Sequence, residues 1–159
     1  MRHATIFPGT NLFISSLYHN TIATTLPTLQ YPRGNGLQWL FLFLEWRNEI
    51  DDIFENQDFE ALIITDINQK ILWVNNGFTE MTGYSKKFAI NKTPNFLQGE
   101  NTQRTTKKRI RTKLGLLEPF TEVITNYRKD NTPYKCEVKI IPLYKEKVTH
   151  FLAIEKKVV

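Results

Sequence analysis

Cysteine is nearly absent from this 159-residue chain, which contains only Cys136. A single cysteine excludes an intramolecular disulfide and any metal site built from several thiolates. It also suits a reducing compartment, so we expect a cytoplasmic protein. The three histidines, His3, His19 and His150, lie far apart without a cysteine or carboxylate at metal-ligand spacing, and no metal site is predicted.

Long hydrophobic runs are also lacking. The longest, LFLFL at residues 40–44, is far shorter than the roughly 20 residues that cross a bilayer. Pro8 and Gly9 interrupt the amino-terminal apolar stretch and no clear cleavage site follows, so neither a membrane span nor a signal peptide is predicted. Gly-rich phosphate loops, nucleophile elbows and kinase signatures are missing, and we expect no enzyme.

Charge of one sign is only mildly in excess. The net charge of +5 falls short of the concentrated patch that nucleic-acid-binding proteins carry, and no recognised DNA-binding motif is present, so no nucleic-acid partner is predicted. One segment is strongly basic, and it fits either contact with a phosphate or acidic partner or a solvated helix face. Its residues are Arg104, Lys107, Lys108, Arg109, Arg111 and Lys113.

The order of patterns divides the chain into three parts. Residues 1–36 show no sustained period and end in the breakers PRGNG, which predicts a leader or linker, possible disorder included. Residues 37–54 place an aromatic and aliphatic stripe at alternating spacings of four and three, typical of an amphipathic helix. That stripe suits either the cover of the domain's own sheet or a dimer contact.

Residues 55–159 form the third part and alternate between strand and helix patterns. ALIITD and ILWVN predict two strands, NGFTEMTGY a short helix closed by Gly83, and Asn101 or Thr102 a cap for a helix ending near Gly115. Three strands follow over residues 120–128, 134–143 and 148–157. This order predicts an α+β domain, with helices on one face of a five-stranded antiparallel sheet and the amino-terminal amphipathic helix added.

The stretch ILWVNNGFTEMTGYS resembles the PAS superfamily. Its pattern of a strand entering Asn, then Phe, then T-G-Y-S is matched by Asn75 or Asn76, by Phe78, and by residues 82–85. The resemblance extends over about two-thirds of the chain and implies the five-stranded PAS fold. PAS domains serve as sensory and protein-interaction modules, so the resemblance also implies a role in signal transduction.

Within that superfamily the chain is most similar to the light-oxygen-voltage (LOV) branch, which binds flavin mononucleotide (FMN). FLQG at residues 96–99 and NYRKDNTPY at residues 126–134 carry this resemblance. The branch's photoreactive cysteine aligns with Pro94, within NKTPNFLQ. Proline has no nucleophile, so we expect no cysteinyl-flavin adduct, and FMN is expected, if bound, to be held noncovalently.

The resemblance also nominates cofactor-binding residues. Gln98 and Asn126 match amides of the branch, and Arg111 resembles an arginine that contacts the phosphate. Cys136 stands where the branch has a second ring-contacting Asn, and Glu155 replaces the glutamine that transmits the signal. The candidate cofactor-binding set is Thr65, Gln98, Arg111, Asn126, Cys136 and Glu155.

Strand periodicity supports part of this set independently. Alternation places Tyr134 and Cys136 on one face of their strand, so Cys136 is expected to point inward. By the same period Glu155 is either a buried acid with a perturbed pKa or a residue at a frayed, solvated strand end. Cys136 is more simply a small buried hydrophobe than a reactive thiol.

Two main functions are compatible with these observations. The first is a sensor that binds a small ligand, for which flavin is one candidate, and signals through contact with itself or a partner protein. The second is a ligand-free PAS module for dimerisation or interaction. A further possibility is photoreduction of a noncovalent flavin, with Trp73 or Tyr134 as electron donor.

Overall fold

The computed structural model describes residues 44–55 and 58–159. The predicted leader, residues 1–36, and the first part of the predicted amphipathic helix lie outside the described residues. Five antiparallel strands form one sheet in the order β2-β1-β5-β4-β3, with short helices between β2 and β3, so the predicted α+β architecture is confirmed. In chain order, the elements are α1 (Ile50–Phe54), β1 (Ala61–Asp66), β2 (Ile71–Val74), α2 (Asn76–Thr82), α3 (Lys86–Ala89), a 3-10 turn (Pro94–Leu97), α4 (Arg104–Leu116), β3 (Phe120–Tyr127), β4 (Pro133–Tyr144) and β5 (Val148–Val158).

Helix α2 begins and ends as its sequence predicts. The Asn75 side chain accepts a hydrogen bond from the Phe78 amide at 2.9 Å, which is the N-cap geometry expected of Asn. Gly83 ends the helix in the left-handed region with φ +76°, a conformation that glycine adopts without strain. The two residues therefore fix both ends of the helix that lies over β1.

The predicted cap of α4 is wrong. The helix begins at Arg104 after Gln103, whose side chain makes no capping bond, and it continues past Gly115 to Leu116. Thr102 is instead buried in the loop. Its hydroxyl accepts from the Gly99 amide at 2.9 Å and donates to the Thr125 carbonyl at 2.7 Å, so it ties this loop to edge strand β3. The Thr102 hydroxyl, which local sequence rules predict as a helix cap, therefore bonds to a distant strand instead.

The two faces of the sheet bury different clusters. On the inner face, side chains such as Ala61, Cys136 and Val138 pack with Phe78 of α2 and Leu97 of the 3-10 turn. On the outer face, Leu62, Leu152 and Ile154 belong to a second cluster that includes Trp46 and Ile53. Residues 44–55, which we call the cover segment, therefore lie over the face opposite the helices.

The cover segment is not the continuous helix that its periodicity predicts. Within it only Leu44 and residues 50–54 are helical, and Glu45 adopts a positive φ of 51°. The interruption places the segment on the sheet: Arg47 N–H donates to the Tyr144 carbonyl at 2.9 Å. Trp46 and Ile53 are each 7% exposed, so in the described part the predicted stripe covers the domain's own sheet.

Asn48 completes this attachment. β3 pairs with β4 only as far as Ile140, which leaves the next backbone groups of β4 without a strand neighbour on that side. The Asn48 amide donates to the Pro142 carbonyl and accepts from the Tyr144 amide, both at 3.0 Å. One side chain thus substitutes for a strand residue at the end of the sheet.

Replacing Asn48 with Ala should loosen the cover segment, because two backbone groups of β4 lose their partner. We expect the free energy of unfolding to fall by about 1 to 2 kcal/mol. Urea denaturation of both proteins measures the change. Arg47→Ala is the matched control, since its contact uses the main-chain N–H, and an equal loss in both variants would contradict the assigned role of the Asn48 amide.

Candidate functional site

Four buried polar side chains meet on the inner face of the sheet, across β3, β4 and β5. We call Asn126, Tyr134, Cys136 and Glu155 the inner cluster. Asn126 lies directly opposite Tyr134 in the β3–β4 pairing, and Val138, two residues after Cys136, lies opposite Glu155 in the β4–β5 pairing. Strand pairing therefore brings together residues that are up to 29 positions apart in the sequence.

All four members of the inner cluster are buried. Asn126 and Glu155 are each 5% exposed, Tyr134 is 8% exposed, and Cys136 is fully buried. The predicted inward direction of Cys136 is confirmed. Of the two positions considered for Glu155, the solvated strand end is wrong, because β5 continues three residues further and stays paired with β4 through Val158.

Burial favours the uncharged forms of the titratable members of the inner cluster. It raises the pKa of Glu155 to about 7, an effect partly offset by the neighbouring Cys136 thiol. Burial also raises the pKa of the Cys136 thiol and of the Tyr134 phenol, and the nearby Glu155 carboxyl adds to both shifts. Cys136 is therefore a protonated thiol rather than a reactive thiolate.

Two atoms of the inner cluster have unused hydrogen-bonding capacity. Among the described residues, Tyr134 Oη and Glu155 Oε2 are buried without a hydrogen-bond partner. Buried polar groups are nearly always paired, so such atoms need a specific explanation. Tyr134 was outside the predicted site set, although its alternation with Cys136 was the signal that placed both on one face.

The remaining predicted site residues lie away from the inner cluster. Thr65 is buried on β1 and pairs with Phe151 of β5, whereas Glu155 pairs with Ala61. Thr65 is four residues along β1 from Ala61, which places it roughly 13 Å from the Glu155 position. Gln98 follows the 3-10 turn, and its amide donates to Asn95 at 3.3 Å. Arg111 lies exposed on α4.

Several neighbours of these residues have other roles. Pro94 is the first residue of the 3-10 turn, a position that needs no backbone N–H. Two members of the basic segment, Arg109 and Lys113, form ion pairs with Glu122 at 3.1 and 2.9 Å. Trp73 packs in the outer-face cluster, whereas Tyr134 packs in the inner-face cluster.

Comparison with known proteins identifies the fold family. Residues 60–156 match the PAS domain family, which is more than half of the chain. The chain belongs to the PAS domain family. The match begins just before β1 and ends within β5, so the matched region includes β1 to β4 and most of β5 and leaves the cover segment outside.

Three relatives of this PAS domain are informative. A blue-light photoreceptor of Listeria monocytogenes is 37% identical over 102 residues, 62% of this chain and 40% of the relative. The LOV domain of an Erythrobacter litoralis blue-light-activated histidine kinase superposes with a TM-score of 0.60 at 31% identity, covering 65% of this chain and 98% of that domain. A LOV structure from work on a flavin analogue gives a TM-score of 0.60 at 28% identity, covering 63% and 78%.

The chain spans well under half of the Listeria photoreceptor's length. In the described part of the PAS domain and its cover segment, no helix is long and apolar enough to cross a membrane. The same residues contain no cluster of three or more His, Cys, Asp or Glu side chains that suits a metal ion.

Proposed function

We propose that this PAS domain is a sensory module that binds a small planar ligand, FMN, noncovalently between the inner face of the sheet and the helices. The observation that supports the proposal most directly is the inner cluster, with its two unpartnered buried atoms, Tyr134 Oη and Glu155 Oε2. An apolar interior that contains a few convergent polar groups is typical of cofactor sites. FMN fits this donor set because its flat ring system carries a polar edge.

Each proposed contact has a defined part in binding. The Asn126 amide and Tyr134 hydroxyl would orient the polar edge of the ring, while apolar side chains such as Phe78 and Leu97 exclude water from it. Arg111 is exposed on α4, which suits a phosphate that stays in contact with solvent. When bound, FMN supplies blue-light absorption and electron uptake; the residues of the chain hold and orient it.

The proposed chemistry does not include a cysteinyl adduct. Pro94 occupies the aligned position of the photoreactive cysteine, and the single cysteine of the chain lies on β4 instead. Burial raises the pKa of that Cys136 thiol, which lowers its reactivity further. Tyr134, on the same face of the sheet, would instead be the residue that supplies an electron to a bound flavin.

The proposed output is a change in protein contact. β5 carries Glu155 on the inner face and Ile154 on the outer face, where the cover segment packs. The Glu155 carbonyl also accepts a hydrogen bond from the Glu60 N–H at 2.8 Å, close to the point where the cover segment joins β1. A shift of β5 would thus reach the cover segment and, through it, a second copy of the chain or a partner protein.

A ligand-free interaction module is the second candidate. It is favoured by how fully apolar side chains fill the inner face, since Phe78 and Ala89 have no exposed surface and Met81 is only 2% exposed. In this alternative the inner cluster is structural and the exposed apolar residues, such as Leu116 and Val123, serve association.

Absorption spectroscopy separates these two functions. We expect protein purified in the dark to show a flavin absorption band in the blue, and denaturation to release the chromophore. Bleaching of that band by blue light without formation of a covalent species would support reduction. A protein that is colourless and takes up no added FMN would favour the interaction module.

Replacing Asn126 with Leu should weaken FMN retention about tenfold, because the ligand's polar edge would meet an apolar side chain of similar size. Equilibrium dialysis with FMN measures the change. Asn101→Leu is the matched control: it alters an exposed amide on the loop before α4 and should leave retention unchanged. Equal retention in both variants would count against the site assignment.

A further inference from the structure

The Glu155 carboxyl occupies an unusual position for an acid. It lies on the inner face of the sheet between Ala61 of β1 and Val138 of β4, its cross-strand neighbours, and it is 5% exposed. Both neighbours are apolar, and its Oε2 has no hydrogen-bond partner among the described residues. A carboxylate at this position would lose its hydration and gain only the weak hydrogen bond of the Cys136 thiol.

No cation in the described part of the chain compensates Glu155. Charged groups of the neighbouring elements have other partners: Glu60 pairs with Lys157 at 2.8 Å and Glu137 with Lys156 at 3.2 Å. Arg128 donates to the Met81 carbonyl at 3.2 Å and lies over the Tyr134 ring, 4.9 Å from its centroid. The titratable groups that share the inner face with Glu155 are Cys136 and Tyr134, and both stay protonated. On the helical side, Phe78 and Met81 pack over this face, the buried polar side chains are Thr82 and Thr106, and none of the buried side chains on the described helices is titratable. The neutral acid is therefore the form that this environment favours.

We propose that Glu155 recognises the ligand as a neutral carboxylic acid, donating a hydrogen bond to a carbonyl or ring-nitrogen acceptor, so that ionisation of Glu155 releases the ligand. This inference rests on the proposed ligand-binding function and adds proton dependence to it. The Tyr134 hydroxyl, buried on the same face and also unpartnered, supplies a second donor. A ring edge rich in acceptors fits this pair, whereas a ring that presents only N–H donors would favour the carboxylate.

The direction of the pH effect follows from linkage. Burial sets the pKa of Glu155 in the ligand-free protein to about 7, and an acceptor on the ligand raises it further in the complex. Affinity is then full below the ligand-free pKa, falls as pH rises from that value towards the pKa of the complex, and is constant above it. For an ionisation near pH 7, binding at pH 8 should be about tenfold weaker than at pH 6.

The test is FMN binding by ligand-free protein between pH 5.5 and 8.5, in the wild type and in Glu155→Gln. The glutamine is isosteric and keeps a donor at every pH, and FMN's phosphate titrates equally in both experiments, so the ratio of the two dissociation constants isolates Glu155. We expect this ratio, wild type over variant, to rise about tenfold from pH 6 to pH 8. A constant ratio, or tighter wild-type binding at higher pH, overturns the inference while leaving FMN binding intact. Failure of both proteins to bind FMN at any pH overturns the proposed function itself.

A second measurement needs no ligand. The pKa of Glu155 in the folded protein, about 7, lies above its ordinary value of 4.5, so between these values the folded state binds more protons than the unfolded state. Wild-type stability should therefore fall relative to Glu155→Gln as pH rises from 5 to 8. Urea midpoints measured at both pH values check this, and a difference between the proteins that is independent of pH would contradict a neutral Glu155.

Discussion

Replacing Asn75 with Ala should lower the free energy of unfolding by about 3 kcal/mol, because one buried amide supports three backbone groups. Asn75 Oδ1 accepts from the Phe78 amide at 2.9 Å and from the Leu62 amide at 3.0 Å, and its Nδ2 donates to the Glu60 carbonyl at 3.4 Å. Alanine would leave the first two donors buried without a partner. The same change would remove the N-cap of α2 and its link to β1, so the effect exceeds that of an ordinary cap.

Asn76→Ala is the matched control for this experiment. The two asparagines are adjacent, and the PAS sequence pattern fits either, but Asn76 is exposed while Asn75 is 4% exposed. We expect the Asn76 variant to unfold within about 0.5 kcal/mol of the wild type, as surface substitutions usually do. Urea denaturation followed by circular dichroism measures both, and similar losses in the two variants would show that the Asn75 bonds contribute little.

Replacing Gly77 with Ala should also destabilise the protein, by about 2 kcal/mol, although alanine favours helices by about 1 kcal/mol over glycine. The helix is close-packed here: a Cβ on Gly77 would overlap the carbonyl group of Glu60. That carbonyl belongs to the backbone at the start of β1, and it cannot turn away without disturbing the Asn75 bond. Steric overlap therefore outweighs helix propensity at this site.

Gly115→Ala provides a control with the opposite sign. Gly115 also lies in a helix, near the end of α4, but no heavy atom would lie within 4 Å of an added Cβ. Propensity alone should then raise stability by about 0.5 to 1 kcal/mol. Thermal and urea unfolding of the two alanine variants test the pair together, and destabilisation of equal size in both would contradict the steric explanation at Gly77.

Much of the fold could be predicted because its strands have strong local patterns. ALIITD begins with four apolar residues, which are buried on both faces of the sheet as part of β1, while Tyr134 and Cys136 alternate with exposed or half-buried residues on β4. The left-handed end of α2 at Gly83 follows from glycine chemistry. In each case the residues of one segment carry enough information to specify their own conformation.

The sequence patterns failed where distant partners decide the structure. The stripe at residues 37–54 has a helical period, yet the need of β4 for hydrogen-bond partners beyond Ile140 recruits Arg47 and Asn48 into an irregular segment. Thr102 carries a capping side chain that bonds to β3 instead. The inner cluster was predicted only in part, since strand alternation shows direction but not which strands lie next to each other in the sheet.

The alternation of β5 makes the ligand and the cover segment thermodynamically reciprocal. Glu155 lies on the inner face of β5, where the ligand would bind, and Ile154 lies on the outer face, where the cover segment packs. A displacement of β5 that changes both contacts would therefore link ligand binding to attachment of the cover segment. Linkage then makes two factors equal. One is the change in the equilibrium constant for detachment of residues 44–55 when the ligand binds, and the other is the change in ligand affinity when those residues detach. Sensing and output would be two measurements of one coupling free energy.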